Sequence, residues 1–174
     1  MTDIDVREEY RALGAFYDDL EALLEWPDEH LFRIDEDVSG WSAAHHLYHV
    51  ALSNSRMLKA AEVICAGHPM VRPEAALNEA GQRTLAQGRF ERGRGKAPEN
   101  VAPPETVRRA DLEKTLARSR KKYAETEALL PALPAQTGGL PHPYMGTLRA
   151  DEWLRLARIH SGHHLAIIRE IDAA

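Results

Sequence analysis

The chain has 174 residues, 44% of them hydrophobic and 28% charged, with a net charge of -5; it is long enough to bury a core as one domain spanning residues 1–174. Charges of both signs are interspersed, which argues against nucleic-acid binding, and no apolar run approaches the ~20 residues that cross a bilayer. Cys65 is the single cysteine, so no intrachain disulfide can form. The opening MTDIDVREEY is acidic and lacks the apolar stretch of a secretory signal, so a cytoplasmic protein without membrane association is expected.

Hydrophobic periodicity predicts four long helices. In the first, Val6, Tyr10, Leu13, Tyr17, Leu20 and Leu24 recur in steps of four and three, one stripe along a helix. Asp5, with Glu8 three residues on, is a candidate cap, and Pro27 limits the far end. A second helix is expected from about Ser42 to Ala66, closing at Gly67 before Pro69, with Leu47, Val50, Met57, Ala61 and Ile64 on one side. Cys65 falls at its apolar end and reads as a buried small hydrophobe.

After this helix, Pro73 to Leu85 can form a short accessory helix. Then comes GRFERGRGKAPENVAPPE, a long irregular connection that serves either as a mobile surface loop or as a cover over a functional site. Its Arg89, Arg92, Arg94 and Lys96 either solvate the loop or bind an anion. A third helix carries Leu112, Leu116, Ser119, Tyr123, Thr126 and Leu130 in one stripe. In the fourth, Trp153, Ala157, His160, His164, Ile167 and Ile171 form the clearest stripe, with Thr147 as candidate N-cap and Asp151 and Glu152 suited to the positive helix end. With no strand pattern evident, the expected fold class is all-α, a four-helix bundle.

Nine histidines are the anomaly of this sequence. His160 and His164 lie in an apolar stripe at a spacing of i, i+4, which brings both imidazoles to one side of a helix. Two ligands for one metal ion are presented in this way, yet HExxH chemistry does not follow, because the sequence reads His160-Ser161-Gly162-His163-His164. A hydrogen-bonded pair of core histidines is the competing reading.

His49 lies about 10 Å from the start of the second helix, and His164 and His160 lie about 10 and 16 Å from the end of the fourth. Antiparallel helices would bring the three level; parallel ones would offset them. Three imidazoles leave positions open for water or substrate, as catalytic sites do. His45, one turn before His49, is a candidate fourth ligand or a hydrogen-bond partner behind the ligands, or else is partly exposed or caps the first turn. His46 and His163 have no strong claim, and His30 and His68 read as loop residues.

At these residues the sequence resembles the DinB/YfiT-like superfamily. Trp41-Ser42 followed by Tyr48-His49, paired with His160 and His164, is the general pattern. A subfamily of unassigned function is resembled more closely, through His142-Pro143-Tyr144-Met145-Gly146-Thr147-Leu148, Glu152-Trp153 and the histidines that follow. The stretch from Gly88-Arg89-Phe90 to Ala97-Pro98 is similar too. The resemblance implies an up-down-down-up bundle and metal ligation by His49, His160 and His164. Many relatives have an acidic or amide residue at the place of His45, which leaves its role open.

Better-characterised relatives include metal-dependent thiol transferases and a thiol-dependent isomerase. The resemblance therefore implies a metal-dependent enzyme, a hydrolase or a thiol-dependent S-transferase or isomerase acting on a small molecule. The cofactors would be a divalent ion (zinc or nickel first, then iron or copper) and a low-molecular-weight thiol. The alternatives are a non-catalytic metal-binding module and a metal-free polar core. A homodimer is expected from the family. His45 and Tyr48 are the nearest candidates for a general base, and no residue has a clear catalytic role.

Overall fold

The computed structural model describes residues 4–93 and 97–173. Among them the chain is mostly helical, and no described helix is long and apolar enough to cross a membrane. Four long helices hold the core: α1 (Val6–Ala22), α3 (Ala43–Cys65), α5 (Arg109–Thr126) and α6 (Ala150–Ala173). Two shorter ones, α2 (Asp28–Leu31) and α4 (Glu79–Gln87), sit in the connections.

Local chemistry sets most of the boundaries. The Asp5 side chain accepts from the backbone N–H groups of Arg7 and Glu8, starting α1. A 3-10 turn, Leu23–Glu25, ends it before Pro27. Ser42 accepts from the N–H of His45 to start α3, which closes at Gly67, in the left-handed region at φ 63°.

The stripes supply much of the core, together with Leu58 and Leu154 outside them. Leu13, Tyr17, Leu20, Leu47, Leu58, Leu112, Leu116 and Leu154 are almost wholly buried. Helix α3 packs against α5 and α6, and α1 packs against α6. Between α3 and α6, His46 meets His164 and His49 meets His160. Between α1 and α6, Glu9 meets Arg155 and Arg158, Phe16 reaches Gly162, and Asp19 meets Arg169. Between α1 and α5, Tyr10 stacks on Tyr123 and Asp18 pairs with Arg120.

Several sequence expectations need correction. A small antiparallel sheet is present, with strand order β1-β3-β2, built from β1 (Ala76–Leu77), β2 (Leu140–His142) and β3 (Gly146–Leu148). Strands of two and three residues are too short to display alternation, which is why no pattern announced them. Thr147 is not a helix cap. It lies in β3, where its hydroxyl accepts from Arg72, and α6 starts instead with the Arg149 N–H donating to the Glu152 carboxylate.

The accessory helix begins later than Pro73, at Asn78, whose side chain accepts from the Gly81 N–H; it runs past Leu85 to Gly88. The third helix stops at Thr126, so Leu130 caps a 3-10 turn beyond it. His30 is in α2 rather than a loop. Cys65 is only half-buried, and that burial raises its thiol pKa.

Candidate metal centre

The side chains of His49, His160 and His164 converge between α3 and α6, one nitrogen from each lying within 4.8 Å of the others. All three rings are nearly out of solvent, at 4%, 9% and 8% exposure. Burial lowers the pKa of each below its ordinary value, and neighbouring histidines lower His160 and His164 further. The rings are therefore neutral near pH 7, the form that ligates metal.

Hydrogen bonds fix which nitrogens are free. The carbonyl oxygen of Val101 lies 2.8 Å from His49 Nδ1. A carbonyl only accepts, so Nδ1 carries the proton and Nε2 presents a bare lone pair. That Nε2 lies 3.0 Å from His160 Nε2. Two imidazole nitrogens on one tetrahedral zinc ion would stand about 3.3 Å apart, so the pair is near ligand spacing. His160 Nδ1 is buried without a hydrogen-bond partner. The donor set thus fits a divalent metal ion.

His164 turns its Nδ1 to His46 Nδ1 at 2.9 Å, and His46 Nε2 lies 3.0 Å from Ser39 Oγ. Ser39 Oγ also accepts from the Trp41 N–H. An ion on His164 Nε2 would leave its Nδ1–H to donate to His46, which would donate in turn to Ser39. Such a chain orients a ligand ring and raises its basicity. His46, 3% exposed, is thus a partner the sequence reading passed over. The available signal was its own spacing: three residues before His49, it shares that side of the helix.

His45 is elsewhere. Its Nδ1 lies 2.7 Å from Ser42 Oγ and its Nε2 3.1 Å from the Glu105 carbonyl oxygen, so both nitrogens are engaged outside the three-histidine group. It is partly exposed at the first turn of α3, as one of the sequence readings had it. Trp41 walls the cluster, its ring centroid 5.3 Å from that of His46 and 5.2 Å from that of His49.

The long connection is also part of this neighbourhood. Val101 supplies the carbonyl on His49, and the Phe90 ring lies 6.1 Å from that of His160 and 5.6 Å from that of His163. Of its basic residues, Arg92 pairs with Glu170 at 2.9 Å and donates to the Val38 carbonyl, while Arg89 is exposed. Arg94 and Lys96 lie outside the described residues.

No curated protein matches the chain, and no solved structure does. The family model described as DinB superfamily matches it over residues 12–168.

Proposed function

Because the chain belongs to the DinB superfamily, we propose that His49, His160 and His164 hold one divalent metal ion and that the protein is a metal-dependent enzyme. The observation that carries this reading is the free lone pair of His49 Nε2, fixed by the Val101 carbonyl and facing His160 Nε2. Three protein ligands leave coordination positions for a small-molecule substrate, the pattern of catalytic sites. A bound ion of this kind supplies Lewis acidity and brings a water or thiol nucleophile into reach near neutral pH. Hydrolysis, thiol transfer and thiol-assisted isomerisation are the reactions within that chemistry.

The protein's own contributions are positional. His46 and Ser39 hold the ring of His164, Val101 holds that of His49, and Trp41 and Phe90 exclude water around them. The same reading takes α1, α3, α5 and α6 as an up-down-down-up bundle. Supporting it, contacts between α1 and α5 run in opposite sequence order and those between α1 and α6 in the same order, and His46–His164 with His49–His160 reverse order between α3 and α6.

The depth of the cluster favours one second reading, a non-catalytic module in which the ion pins α3 to α6 and the protein dimerises. Metal analysis of untagged protein tests both readings: about one zinc or nickel per chain is expected, falling to near zero in His160→Ala. A native protein without bound metal, and without affinity for added zinc, would sink both. Thiol cofactors offered with electrophilic substrates then separate them, because turnover that disappears in His49→Ala belongs only to the enzyme.

A further inference from the structure

The three-histidine group uses nothing from the stretch between His142 and Trp153. Trp153 is 7% exposed, and its indole nitrogen is buried with no hydrogen-bond partner. An indole N–H can only donate, and a buried donor without an acceptor costs about 1–3 kcal/mol. Beside it, the His142 ring lies 5.4 Å from that of Trp153. The Tyr144 N–H donates to His142 Nδ1 at 3.2 Å, so the neutral ring carries its proton on Nε2, as a second donor.

A third donor comes from the cluster. With an ion on Nε2, the neutral His160 ring holds its proton on Nδ1, which is buried and unpartnered. Trp153 precedes His160 by two turns on the same face of α6, about 10 Å along the axis. His142, in β2, packs its ring against that of Trp153. Two ring nitrogens here, Trp153 Nε1 and His160 Nδ1, are thus buried without a partner, and His142 Nε2–H adds a third donor beside Trp153.

We propose that Trp153, His142 and His160 outline a subsite for a small organic substrate, which they hold by a carbonyl or carboxylate oxygen. The subsite rests on the metal reading for the donor at His160; the donors at Trp153 and His142 are independent of it. Donors alone select an oxygen that only accepts. No cationic side chain is needed to hold a carboxylate there, since a divalent ion next to His160 supplies the positive charge.

The indole N–H of Trp153 reports on this directly. In a proton–nitrogen correlation spectrum the protein has three indole signals, from Trp26, Trp41 and Trp153, and Trp153→Phe identifies the third. Zinc-loaded and chelator-treated protein is titrated with acetate, with acetamide and, as control, with methylammonium chloride. A saturable shift of the Trp153 signal alone is expected, with roughly tenfold weaker affinity in His142→Phe, the loss of one hydrogen bond. Saturation by acetate only assigns a carboxylate, and by acetamide as well a carbonyl.

Unmoved Trp26 and Trp41 signals show that His142→Phe is folded; if they move, His142→Gln replaces it. No saturable shift up to about 100 mM of either oxygen ligand, or equal affinity in the His142 variant, would overturn the subsite. If zinc does not bind but acetate still moves Trp153, the metal reading fails and the subsite stands on its two independent donors.

Discussion

The Nδ1 atoms of His46 and His164 lie 2.9 Å apart across the α3–α6 interface, so one proton must be shared between them. The next link runs from His46 Nε2 to Ser39 Oγ, which leaves His164 no freedom to rotate without breaking a buried chain. His46→Ala is therefore expected to weaken zinc binding by about 10–100-fold, the usual effect of removing a ligand's hydrogen-bond partner. Competition with a chromogenic chelator measures this, and an unchanged affinity would show that His46 does not orient the ligand.

Phe90 sets the second prediction. Its ring stands edge-on to His160 and His163 from the long connection, so it closes one approach to the cluster. Phe90→Ala should release bound metal to excess chelator several-fold faster while changing equilibrium affinity little, because no ligand is lost. Equal release rates in the two proteins would mean that this segment is not a cover.

Glu9 carries the third. It is 8% exposed and holds Arg155 at 2.8 Å and Arg158 at 2.5 Å. Those arginines also donate to the carbonyls of Leu85 and Gly88 at the end of α4, so one carboxylate ties α1, α6 and α4 together. Glu9→Gln removes the charge and keeps the shape. A loss on the order of 2–3 kcal/mol is expected in urea unfolding, less than for a wholly buried pair because both arginines keep some solvent. A change below about 0.5 kcal/mol would mean that the pairing is surface-like.

Acid should destabilise the metal-free protein earlier than carboxylate titration alone would. Burial lowers His142 from 6.5 to about 4, and burial followed by the neighbouring His49 lowers His46 to about 3. Below about pH 6.5 the unfolded chain takes up protons that the folded rings refuse, so the unfolded state binds more. Stability is then full above that pH and falls as pH drops through the window toward 4 for His142 and toward 3 for His46. In chelator-treated protein the urea midpoint should drop between pH 7 and 5, with a shallower slope in His142→Phe. A flat midpoint across that range would contradict neutral burial of these rings.

Much of the helical framework could be read from the chain because its cause is local. Val6 to Leu24 and Trp153 to Ile171 keep their step of four and three, Leu47 to Ile64 keep to one side of their helix, and those positions are buried or half-buried in the folded protein. Asp5 was legible as a cap for the same reason, and Ser42 as the start of its helix. Where local cause was weak, the reading missed: β1, β2 and β3 are held by long-range pairing between segments too short to show alternation, and Thr147 was drawn into β3 by Arg72 rather than to a helix start.

The three histidines divide in the same way. His160 and His164 share one helix, so their spacing of four residues already brought the two rings together. His49 is 111 residues from His160, His46 is 118 from His164, and Val101 is 52 from His49. Helical periodicity carries no information over such separations, because which turns come level depends on how α3 and α6 pack and where the connection between them returns. Packing therefore decided which nitrogen of His49 is free, which histidine supports His164 and which donors beside Trp153 still lack an acceptor.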